Sequence, residues 1–108
     1  MSANLTKDAD KVLCTLYREY LNRLKNGLPK DEASSFRPSE EIQEELFSDT
    51  PLHDLDDSLD ELKTAGFIKV NILGAFSLQR SAIIDLEGRF KKGLTEVIEF
   101  LLKFHKLF

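Results

Sequence analysis

The spacing of apolar residues departs from the helical period over one short stretch of this chain, and that departure limits the folds open to it. From Lys7 to Ala65 apolar side chains recur every three or four positions, the signature of helices with one buried face. Between Phe67 and Leu78 the spacing falls to two: Ile68, Val70 and Ile72 alternate with Lys69 and Asn71, and Ala75-Phe76-Ser77-Leu78 returns after Gly74. From Gln79 the helical spacing resumes. A lone hairpin inside a helical chain predicts an α+β domain, mostly α, with one short sheet.

The breaks predict the elements. Thr6 caps a first helix, Lys7 to Asn26, whose inner face carries Ala9, Val12, Leu13, Leu16, Tyr17, Tyr20, Leu21 and Leu24; Gly27 stops it. Pro29 opens a short helix, Lys30 to Ser34, and Phe36 anchors the connection in the core. Pro38 and Ser39 begin the next helix, with Ile42, Leu46 and Phe47 facing inward. After the break at Ser48-Asp49, Thr50 caps and Pro51 starts a helix to Ala65 whose stripe is Leu52, Leu55, Leu59 and Leu62. Gly66 ends it. Gln79 to Lys92 buries Ala82, Ile83, Leu86 and Phe90. Gly93 either interrupts or weakens the helix that follows. Leu94 to Phe104 points Leu94, Val97, Ile98, Leu101 and Phe104 inward, with Phe100 and Leu107 off that face. The chain has 108 residues, the size of one domain spanning 1–108, and no internal repeat or linker is visible.

Charge is distributed unevenly. Residues 31–61 hold twelve acids against one base, Arg37, a balance of −11 in a chain of −4, so the remainder carries +7. No apolar run approaches the ~20 residues of a membrane span, so no membrane contact is expected. Met1-Ser2-Ala3-Asn4 lacks the basic and apolar regions of a signal peptide, and the single cysteine, Cys14, makes no internal disulfide, so a cytoplasmic location is expected.

The order helix, helix, turn, helix, hairpin, helix resembles a winged helix-turn-helix domain. The junction Leu62-Lys63-Thr64-Ala65-Gly66-Phe67-Ile68 looks like the helix-glycine-strand entry into the wing. Across residues 12–104 the chain also resembles a group of small uncharacterised bacterial winged-helix proteins, through Leu16-Tyr17-Arg18-Glu19-Tyr20, Ser39-Glu40-Glu41-Ile42 and Arg89-Phe90-Lys91-Lys92-Gly93-Leu94. The resemblance implies a β-hairpin wing and a long C-terminal helix. The general class implies DNA binding by analogy alone.

The helix Pro51 to Ala65 stands where such a fold reads the major groove. With its leucines inward, it offers His53, Asp54, Asp56, Asp57, Ser58, Asp60, Glu61 and Lys63 outward. Bases are read mostly by Arg, Lys, Asn and Gln, and carboxylates oppose phosphate contact. Two binding surfaces are therefore in competition. One is the acidic surface His53, Asp54, Asp56, Asp57, Asp60 and Glu61, which suits a basic protein partner, mimicry of nucleic-acid charge, or solvent alone. The other is the basic set Lys69, Arg80, Arg89, Lys91 and Lys92, candidates for nucleic-acid contact. The terminal aromatics and leucine Phe100, Phe104, Leu107 and Phe108 are candidates for a homodimer interface.

Catalysis has no visible basis. There is no phosphate-binding glycine loop and no Cys-x-x-Cys pair, and Cys14 falls on the buried side of its helix. His53, Asp57 and Glu61 share a helix face at intervals of four, but one histidine with scattered carboxylates is a weak metal set. No cofactor, metal or catalytic residue is expected. The expected function is a non-enzymatic regulatory or accessory module acting through protein contacts. The alternative is a DNA-binding transcriptional regulator docking through the wing and the basic second half.

Overall fold

The computed structural model describes residues 4–106, with side chains as far as Phe104. Leu107 and Phe108, named above for a dimer, and the opening Met1-Ser2-Ala3 lie outside the described residues.

Helix α1, Lys7–Lys25, is the element around which the others pack. Thr6 caps it, its Oγ1 accepting from Ala9 N at 3.2 Å. Its inner face buries Ala9, Val12, Leu13, Leu16, Tyr17 and Tyr20, and Cys14 and Thr15 are buried beside them. At its end Gly27 takes φ +93°, which lets Leu28 N reach Arg23 O and Gly27 N reach Leu24 O, both at 3.0 Å. This paired closure satisfies carbonyls that the helix leaves open.

A four-residue helix α2, Lys30–Ala33, leads into strand β1, Ser35–Phe36. Phe36 is buried as expected of an anchor, but it anchors as part of a sheet. Two residues are too few for alternation to declare a strand, so the third strand was illegible in the sequence.

Helices α3, Ser39–Leu46, and α4, Leu52–Thr64, pack together across the turn at Phe47–Pro51. Thr50 does not cap α4. Its carbonyl accepts from Gln43 Nε2 at 2.9 Å and its hydroxyl donates to Asp49, while Pro51 sits at the cap position with no side-chain bond. The buried face of α4 is Leu55, Ser58, Leu59 and Leu62. Leu52, placed in the stripe by its spacing, is exposed, and Ser58 is buried instead.

Gly66, at φ +83°, turns the chain from α4 into strand β2, Ile68–Val70, followed by β3, Phe76–Leu78. The sheet is antiparallel in the order β1-β3-β2. Ile68 pairs with Leu78 and Val70 with Phe76 on one side; Phe36 pairs with Phe76 on the other, their rings stacked 5.4 Å apart. The strand ends at Val70. Ile72, assigned by alternation to the strand, lies in the turn and is fully exposed.

Helix α5, Arg80–Arg89, ends three residues earlier than its spacing suggested. Phe90–Gly93 form a break, with Gly93 at φ +77°, before α6, Leu94–Lys106. Gly93 thus interrupts the helix. On α6, Val97 and Leu101 are buried. Phe100 and Phe104 pack against the core, whereas Ile98, expected inward, is 40% exposed. The fold is α+β and mostly helical, with a short hairpin and a helical C-terminal segment, and among the described residues the three strands and six helices all contribute to the core. Among the described residues no helix is long and apolar enough to cross a membrane.

Candidate functional site: the outer face of α4 and the hairpin tip

The six residues of the acidic surface divide into two kinds. Asp56 and Glu61 hold the protein together. The Ser39 hydroxyl at the start of α3 donates to Asp56 Oδ1, linking the two helices of the pair. Glu61 receives Thr6 N at 2.7 Å and Thr6 Oγ1 at 2.9 Å, so it fastens the end of α4 to the cap of α1. The remaining four, His53, Asp54, Asp57 and Asp60, are exposed. His53 Nε2 lies 3.7 Å from Asp57 Oδ2, one helical turn along. Glu61 is turned to Thr6, so the four-residue spacing of His53, Asp57 and Glu61 does not converge. Among the described residues no three His, Cys, Asp or Glu side chains are grouped to hold a metal ion.

The basic set is spread over several elements. Lys69 is exposed on β2, Arg80 at the start of α5, and Lys91 and Lys92 in the break after it. Arg80 and Lys91 are separated by the length of α5, about 15 Å at 1.5 Å per residue. Arg89 is taken up internally. Its guanidinium bonds both oxygens of Asp10 at 2.7 and 2.9 Å and lies over the rings of Phe90 and Phe100, at 4.9 and 4.5 Å.

Phe100 and Phe104 are likewise spent within the fold. Phe90, Phe100 and Phe104 form a chain of ring contacts at 5.6 and 5.3 Å, and Lys11 Nζ lies 5.9 Å from the Phe104 ring. The large apolar side chains that α6 exposes are Ile98 and Leu102, one turn apart.

The feature that spacing missed is the hairpin tip. Ile72 is 99% exposed and Leu73 82% exposed, the most open large apolar side chains among the described residues. The turn beneath them is closely tied. Asn71 Oδ1 accepts from Leu73 N at 2.9 Å and Ala75 N at 3.1 Å. Asn71 N donates to Ala75 O at 2.8 Å and Gly74 N to Asn71 O at 3.0 Å. Asn71 and Gly74 are turn residues for this reason. The Asn-x-x-Gly spacing was the available signal, and alternation of Ile68, Val70 and Ile72 concealed it.

Between the tip and the start of α3 runs an open cleft of about 260 Å³. Pro38, Leu59, Val70 and Phe76 supply apolar atoms to it, and Glu40, Asp56 and Asp60 supply carboxylates. No lysine or arginine lines it.

Cys14 is sealed in the core, and burial, then the neighbouring Asp10 carboxylate, push its thiol up to about 12. It stays protonated and is not a nucleophile at neutral pH.

No protein-family model, no curated protein and no solved structure matches this chain.

Proposed function

We propose that this domain is a non-enzymatic regulatory or accessory module of winged-helix arrangement that works through protein contacts, with a basic protein as its partner. One observation carries the reading. The parts that such an arrangement would lay on a duplex are the outer side of α4 and the tip of the hairpin. The first presents His53, Asp54, Asp57 and Asp60 with Lys63 as its one base; the second presents Ile72 and Leu73. Phosphate contacts supply most nonspecific DNA affinity, and neither surface is built to make them. Among the described side chains of α6, Ile98 and Leu102 are the exposed apolar ones a homodimer would cover, and Phe100 and Phe104 are partly buried against the core.

The second reading is a DNA-binding regulator. What supports it is the element order, in which helices α3 and α4 are followed by the β2–β3 hairpin and then by helix. Its contacts would be Lys69, Arg80, Lys91 and Lys92, without Arg89. The two readings separate on a random-sequence duplex at about 50 mM salt, where nonspecific binding is strong. The protein-contact reading expects no retention. Retention that vanishes when Lys91 and Lys92 are changed to alanine would replace it with the second reading.

A further inference from the structure

We propose that the cleft between α3, α4 and the hairpin receives a basic amphipathic segment of a partner protein, with Ile72 and Leu73 as its apolar anchors. This rests on the protein-contact reading above and names the surface and the kind of partner.

The tip is the starting point. A large aliphatic side chain left in water forgoes roughly 1.5–3 kcal/mol of burial, and here two neighbours do so together. They are not on a loose loop, since the four hydrogen bonds around Asn71 hold the turn. Gly74 requires φ +93°, and a Cβ there would meet Pro38 at 3.5 Å, so the tip rests against the start of α3. A rigid apolar projection is suited to docking because little freedom is lost when it is covered.

The cleft beside the tip decides the occupant. Gly74, the residue that follows Leu73, is part of its lining. Its apolar lining comes from Pro38 and Val70, with small parts of the buried Leu59 and Phe76, and its charges are those of Glu40, Asp56 and Asp60. A segment with one apolar and one basic face meets both: its apolar residues cover Ile72, Leu73 and the lining, and its lysines or arginines face the carboxylates. This is the helix-in-groove mode of recognition. The same carboxylates disfavour an anionic membrane and a duplex, the other partners an aliphatic projection could enter.

The test uses the full chain and a synthetic amphipathic helix of leucine and lysine carrying a fluorescent label, read by anisotropy. Saturable binding is expected, weakening as salt rises. The same peptide with glutamate for lysine should not bind. The variant Ile72→Ser/Leu73→Ser should weaken binding at least about tenfold, with an unchanged circular dichroism spectrum because neither side chain is packed. Glu40→Gln/Asp60→Asn should weaken it several-fold and remove most of the salt dependence.

An absence of peptide binding, or equal binding by the Ile72/Leu73 variant, overturns the proposal. So does binding to phosphatidylserine vesicles that the tip variant loses, which would assign the tip to a membrane. If the peptide fails and the duplex is still not retained, the protein-contact reading survives on another surface. If the duplex is retained and the tip variant loses it, this proposal and the protein-contact reading fall together.

Discussion

Arg89 and Asp10, 79 positions apart, hold each other through two parallel hydrogen bonds of 2.7 and 2.9 Å. The pair joins the end of α5 to the first turns of α1. Its side chains are only 15% and 18% exposed, and the planar guanidinium lies over the rings of Phe90 and Phe100. The Asp10 hydrogen bonds raise the Arg89 pKa, which keeps the guanidinium charged. Arg89→Ala should cost about 2–3 kcal/mol, less than a fully buried pair because some water reaches it. Arg89→Lys should recover less than half, because an ammonium cannot make the forked contact or stack in the same way. Urea midpoints measure both. A loss below about 0.5 kcal/mol for Arg89→Ala would mark the pair as an ordinary surface contact.

Glu61 and Thr6 form a second tie, between the C-terminal end of α4 and the cap of α1. One carboxylate takes both the backbone N–H and the hydroxyl of the residue that caps α1, while that hydroxyl accepts from Ala9 N. Thr6→Ala should cost about 1 kcal/mol as a lost cap. Glu61→Gln should cost roughly 0.5–1 kcal/mol, because an amide replaces the charged acceptor. The two losses should not add, and a double-mutant cycle in urea should return a coupling of at least about 0.5 kcal/mol. Additive losses would show that the contact contributes nothing of its own. Asp57→Asn, on the exposed face of the same helix, serves as the control and should fall within about 0.5 kcal/mol of the parent protein.

These two ties mark where sequence reasoning stopped. The faces of α1 and the stops at Gly27 and Gly66 were legible because they depend on neighbours three to five residues away. The hairpin was legible because its period differs from everything around it. What failed was either long-range or angularly ambiguous. Asp10 and Arg89 each read as a surface charge until the fold brings them together, and Glu61 read as part of an acidic face. Ser58 is three residues from Leu55, so it lies on the same side of α4 as the leucines, and spacing alone cannot choose it over Leu52. On α6, apolar residues occupy so much of the circumference that Ile98 and Phe100 are interchangeable by period. The ring contacts with Phe90 turn Phe100 inward and leave Ile98 in water. Of the candidate site, the acids of α4 were legible by composition, while the apolar tip was mistaken for strand.

Stability should fall on the alkaline side for reasons located in α1. Burial, then the nearby Glu87 carboxylate, push the Tyr17 phenol up to about 12, and the same two causes raise Tyr20. Cys14 is also pushed to about 12. In each case the fold favours the neutral form, and the unfolded chain ionises first. The stabilisation is therefore complete below the unfolded values, about 9 for the thiol and about 10 for the phenols, and is lost as pH rises toward 12. The melting temperature should hold level to about pH 9 and then drop, with Tyr17 responsible for at most roughly 2 kcal/mol of the loss at the top of the range. Tyr17 and Tyr20 are the two tyrosines of the chain, so phenolate absorbance reports on them alone. Its midpoint should lie above 10 in the folded protein and return to about 10 in urea. Tyr17→Phe, which keeps the ring that stacks between Tyr20 and Phe90, should shallow the alkaline slope without lowering stability at neutral pH by more than about 1 kcal/mol. An unchanged slope in that variant would mean that Tyr17 ionises as freely in the fold as in the open chain.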